Sequence, residues 1–169
     1  MVGKLKIKNK KGFTLIEVIT VLLVVSLGMI GVLSLIVQNI QSQSLNKNTL
    51  IAYQLAQEGT ELIRQVRDSN WRAQPVRFWR TNLLSGTYYM DYTDTVPHGA
   101  PSNPFGRLRK DADGMYISDP NAAMTPSTFT RTITIEDQAQ GILVTTRIFW
   151  LDHGRNYVYS LEALLYDWR

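Results

Sequence analysis

The sequence predicts an α+β chain: one long N-terminal helix whose second half packs on a C-terminal antiparallel β-sheet. Three observations predict it. Residues 13–37 are almost wholly apolar, residues 40–66 carry an apolar stripe at helical spacing, and residues 128–165 alternate apolar and polar in three runs.

The chain opens on "MVGKLKIKNKKG", residues 1–12, in which Lys4, Lys6, Lys8, Lys10 and Lys11 precede the apolar run. Over 169 residues, 18 basic side chains stand against 14 acidic ones; without those five lysines, 13 remain against 14. The basic character therefore belongs to the head of the sequence, and the body offers no general attraction for an acidic partner. There is no cysteine, so no disulfide and no thiolate metal or redox site exists, and the fold rests on packing alone.

Phe13 to Val37 spans 25 residues with one charge, Glu17. A helix of that length reaches about 37 Å, enough to cross a hydrocarbon layer of about 30 Å. The lysines ahead of it favour a cytoplasmic N-terminus and an external remainder. A secretory signal would place small residues of Ala-x-Ala type after the run; "SLIVQNIQSQSLN" follows instead, so the run is expected to be kept. Gly28 and Gly31 each weaken the helix by about 1 kcal/mol relative to alanine and suit close helix packing.

Residues 38–70 turn polar, while Ile40, Leu45, Ala52, Leu55, Ala56, Gly59, Leu62, Ile63 and Val66 keep one face apolar. No proline interrupts residues 13–74, so both stretches read as one helix, ended by Asp68, Ser69 and Asn70. Residues 71–127 hold all six prolines, among them Pro101, Pro104 and Pro120, and read as loops with short strands such as "TYYMDY". Residues 128–169 read as three strands. Phe129, Ile133 and Ile135 mark the first; Ile142, Val144, Thr146, Ile148 and Trp150 the second; Tyr157, Tyr159, Leu161, Ala163 and Leu165 the third. "DQAQG" and "LDHGRN" supply the hairpin turns.

Chemistry is sparse. His98 and His153 are the only imidazoles, and neither a Gly-x-Ser-x-Gly elbow nor a His-Glu-x-x-His helix occurs, so no enzyme and no cofactor is expected. Asp111 and Asp113 ahead of Gly114 look like half a calcium loop, without the third ligand position or the closing glutamate; an Asp-Gly hairpin turn competes with it. Arg64, Arg67, Arg72, Arg77 and Arg80 interleave with Trp71, Phe78 and Trp79. Two readings stay open for this stretch. Arg72, Arg77, Arg80 and Trp79 suit single-stranded DNA, through phosphate contacts and stacking; alternatively the aromatics plug the helix-to-loop junction while the arginines face water.

The run "KGFTLIEV" resembles the processing motif of prepilins of the type IV filament superfamily: a basic leader ending in Gly12, a new N-terminal Phe13, and Glu17 at the fifth position after the cut. The resemblance implies a leader (1–12) removed on maturation, a transmembrane and assembly helix (13–37), its amphipathic continuation (38–70), a variable region (71–127) and an antiparallel sheet (128–169). It implies a prepilin peptidase that cuts between Gly12 and Phe13 and methylates the Phe13 amine, with the chain as substrate. Gly12 has no Cβ to obstruct an extended backbone in a protease cleft. The implied partners are other pilin subunits, an inner-membrane assembly platform, ATPase-driven machinery, and membrane lipid before assembly. A charge inside a membrane helix costs roughly 2.5–3.5 kcal/mol at mid-helix and marks function; Glu17 would neutralise the Phe13 amine of a neighbouring subunit and set register.

The chain departs from many major pilins in lacking a proline in the membrane helix and a C-terminal disulfide loop, and is closer in type to minor pilin V or pseudopilin I. The expected function is a structural subunit, a minor pilin of a type IV pilus-like filament, single-pass in the membrane and then extracellular. The alternatives are a type II secretion pseudopilin in the periplasm, or a minor pilin whose head binds DNA or a surface.

Overall fold

The computed structural model describes residues 12–99, 106–118 and 125–167. The five leader lysines and Pro101, Pro104 and Pro120 lie outside the described residues. Helix α1 runs Leu15–Arg72. The chain divides into two compact units, Met1–Gln43 and Ser44–Arg169.

In the first unit, Thr14 caps α1: its Oγ1 accepts the backbone N–H of Glu17 at 3.3 Å, three residues on. Hydroxyls within the apolar stretch turn back on their own helix. Thr20 Oγ1 donates to the Glu17 carbonyl at 2.9 Å and Ser26 Oγ to that of Leu22 at 2.7 Å. An 18-residue window here has a mean hydropathy of 2.7 with none of it buried, so α1 is long and apolar enough to cross a membrane. A Cβ on Gly28 or Gly31 would meet nothing within 4 Å.

In the second unit, α1 turns Ala52, Leu55, Ala56, Leu62, Ile63 and Val66 inward. The helix runs past the expected stop at Asn70 because that side chain is buried and serves the next loop. Its Nδ2 donates to the carbonyls of Trp79 at 3.1 Å and Thr81 at 2.8 Å.

All strand pairs are antiparallel. The three strands read from alternation are present as β5 (Thr125–Gln138), β6 (Gly141–Asp152) and β7 (Arg155–Leu165), with β6 between the other two. On its other edge β5 is shared by β1 (Gly86–Tyr89) and β3 (Arg107–Lys110), which carry β2 (His98–Gly99) and β4 (Tyr116–Ile117). His153 and Gly154, at φ 48° and 77°, make the β6–β7 turn. Positive φ at both central residues matches the right-handed strand twist.

The core falls into two clusters. Leu62, Ile63 and Val66 meet Ile133, Ile135 and Val144 in one, while Ala52, Leu55 and Ala56 meet Phe129, Ile148 and Trp150 in the other. The helix turn between these two sets is polar: Thr60 Oγ1 lies 3.1 Å from Thr146 Oγ1. Gly59 permits that approach, since a Cβ there would sit 2.8 Å from Thr146 Cγ2 and 3.2 Å from Arg131 Cδ.

Candidate functional site

Gly12, Phe13 and Thr14 precede the first helical residue, and all three are exposed. Among the described residues, no neighbour lies within 4 Å of a Cβ built on Gly12. Phe13 is 83% exposed, and Phe13, Glu17, Val18, Val21 and Leu22 line one shallow hollow. Phe13, just ahead of the helix, and Glu17, in its first turn, thus border the same hollow. The cap from Thr14 engages the Glu17 backbone N–H, which leaves the carboxylate outside that bond.

The basic-aromatic stretch is largely spent on the fold. Trp71 and Trp79 are buried. Arg67 is buried too, with its guanidinium 4.7 Å from the Trp71 ring and its Nε 2.9 Å from Asp68 Oδ1. Arg64 pairs with Glu61 and Arg80 with Asp137; Arg80 also lies 5.7 Å from the Trp79 ring centre. Arg72 donates to the Asp68 carbonyl at 3.3 Å. Arg72, Arg77 and Phe78 are the exposed members, so the aromatic presented to solvent is Phe78, at 67% exposure, and not Trp79. Trp79→Ala is expected to cost about 3–5 kcal/mol through the cavity it leaves. The Arg72→Ala, Arg77→Ala pair should leave the melting temperature unchanged. Thermal unfolding checks both, and oligonucleotide titration of the pair against salt separates a nucleic-acid role from packing.

Asp111 works inside its own turn. Its Oδ1 accepts the N–H groups of Asp113 at 3.0 Å and Met115 at 2.8 Å, and Gly114 adopts φ 82°. Among the described residues no group of three His, Asp or Glu is placed to hold a metal. His98 rests on Asp94 at 3.1 Å and His153 on Asp152 at 2.8 Å.

A buried ionic cluster was not singled out from the sequence. Arg131, 1% exposed, places Nη1 3.1 Å from Glu58 Oε1, while its Nη2 donates to the Met90 carbonyl at 2.7 Å and lies 3.4 Å from Asp91 Oδ1. Both Asp91 oxygens accept the Ser118 N–H, at 2.8 and 2.7 Å. Burial pushes the Asp91 carboxyl above its ordinary range, against the opposing pull of the Ser118 hydrogen bonds and the Arg131 charge. The cluster ties α1 and β5 to Met90, Asp91 and Ser118.

Residues 7–33 match the model of the prokaryotic N-terminal methylation motif. No curated protein and no solved structure matches the chain. The match takes in Gly12, Phe13 and Glu17 and runs on into the apolar start of α1, and the chain's strands form an antiparallel sheet. That combination supports a type IV pilin/pseudopilin-like prepilin.

Proposed function

We propose that this prepilin matures into a minor structural subunit of a type IV pilus-like filament. The observation that carries the reading is the methylation motif at residues 7–33, which runs into α1, a helix whose most apolar 18-residue window has none of it buried. The leader is removed after Gly12, the Phe13 amine is methylated, and the helix exchanges lipid for the helices of neighbouring subunits. In the filament Glu17 pairs with a Phe13 amine and sets axial register, the use of a buried ion pair that is best attested. The chain acts as substrate of the peptidase and as building block, and the assembly platform and its ATPase supply the work of extraction.

Intact-mass and N-terminal analysis of filament-borne protein is expected to give a chain beginning at methylated Phe13. Gly12→Val should leave uncut precursor in the membrane, since a branched side chain obstructs the extended backbone at the cut. A mature N-terminus after Ser42, as a secretory signal would leave, removes the reading. The cysteine-free sequence also suits a pseudopilin of a type II secretion system. Loss of exoprotein secretion with surface filaments intact, on deleting the chain, selects that alternative.

A further inference from the structure

Helix α1 begins at Leu15, immediately past Gly12, Phe13 and Thr14, which lie outside it. Thr14 marks that boundary in two ways. Its carbonyl accepts the Val18 N–H at 3.2 Å, and its Oγ1 accepts the Glu17 N–H at 3.3 Å. Glu17 adds an acidic side chain in the first turn, where the helix dipole favours it. The next residues upstream that can cap a helix are Gly12 and Asn9. A start at either would wind Phe13 into α1. A start at Asn9 would also set Lys10 and Lys11 in the first turn, against the dipole. Downstream, the next hydroxyl is that of Thr20, which already donates to the Glu17 carbonyl.

Given the proposed cut after Gly12, we infer that Thr14 is a positioning residue for the processing step. Its side-chain oxygen ends α1 short of Phe13 and leaves the Gly12–Phe13 backbone free to lie extended in the peptidase. Backbone wound into a helix has its N–H and C=O groups bonded along the axis, and it cannot line a cleft as a strand does. Without the oxygen, the helix does not simply unwind from its start, because in apolar surroundings each freed N–H would lack a partner. One more turn of winding upstream offers the Glu17 N–H the Phe13 carbonyl instead, four residues back. The boundary then moves across Phe13, and the bond to be cut is carried into the start of the helix. Thr14 acts on the shape of the chain and takes no part in breaking the bond.

The test compares the full-length chain with Thr14→Val, Thr14→Ser and Thr14→Asn in neutral detergent micelles, cut by a purified prepilin peptidase. Valine keeps the branched shape and removes the oxygen, while serine and asparagine each restore an acceptor. For Thr14→Val, kcat/KM is expected to fall several-fold, up to about 30-fold, the limit set by the worth of a single cap. The serine and asparagine variants should be cut at the wild-type rate. Carbon-13 shifts of Gly12 and Phe13 should move toward helical values in Thr14→Val alone. Slow cutting of Thr14→Val with unmoved shifts, or without rescue by asparagine, assigns Thr14 to direct recognition by the peptidase and overturns the inference. Wild type cut after Gly12 beside an equally well cut Thr14→Val overturns this inference alone. Wild type cut at another bond overturns the processing reading, and this inference with it.

Discussion

Arg131→Met is expected to lower the stability of the second unit by about 3–5 kcal/mol, the usual cost of removing one partner from a buried ionic cluster. The guanidinium reaches Glu58, Asp91 and the carbonyls of Leu55 and Met90. Methionine fills comparable space but leaves the Asp91 carboxylate in the core without its cation. The loss should depend on pH with a definite sign. Asp91 already has a raised pKa in the folded state, so its favourable contribution is present at low pH and is lost as pH rises through that pKa. Removing the cation raises the folded pKa further. The difference between wild type and Arg131→Met should therefore be greatest near neutral pH and shrink on acidification. Denaturant unfolding at a series of pH values reads this directly, and a pH-independent difference would show that Arg131 acts by packing alone.

Much of the scaffold was legible because it rests on periodicity. The stripe from Ala52 to Val66 and the alternation through β6 and β7 each repeat often enough to name the buried face. Arg131 illustrates the limit. It shares parity with Phe129, Ile133 and Ile135, so its inward direction was implicit in the pattern. A charge at such a position makes sense only beside its partners, and those arrive from Glu58 and Asp91, far away in the chain. The short strands β1 to β4 are two to four residues long, too few for a period to show. In the candidate site, the Gly12–Phe13 junction and Glu17 are a local motif that the sequence displays entire. Trp79 was readable only as a member of a basic-aromatic run, since the direction of its ring is decided by Asn70 gripping the loop that carries it.

Glu17→Val is the second large effect, and it should appear in assembly and not in folding. The cap uses the backbone N–H of residue 17, so valine keeps the helix start intact. It also removes a charge from an apolar segment, and insertion should become easier. Cleavage after Gly12 should proceed, because the junction is untouched. What is lost, on the proposed pairing, is the carboxylate that would face a neighbour's Phe13 ammonium. Leaving that cation unpaired among apolar helices costs about 3–5 kcal/mol, enough to reduce incorporation roughly a hundredfold or more. Quantitative mass spectrometry of sheared filaments against membrane fractions measures this. Equal incorporation of wild type and Glu17→Val would end the pairing model, and Glu17→Asp separates charge from reach.

The hydroxyls of Thr20, Ser26, Ser42 and Thr49 all donate to carbonyls of their own helix. A helix wired in this way takes its polar satisfaction with it when it changes surroundings. Moving it from acyl chains to other helices breaks none of these bonds and demands no new ones, so they present no barrier in either direction. Partitioning between the two media is then nearly balanced, and one ionisable side chain is left to tip it. On the proposed pairing, Glu17 would act as a ratchet tooth on an otherwise frictionless shaft: the place where it finds a cation would be the place where the subunit stops.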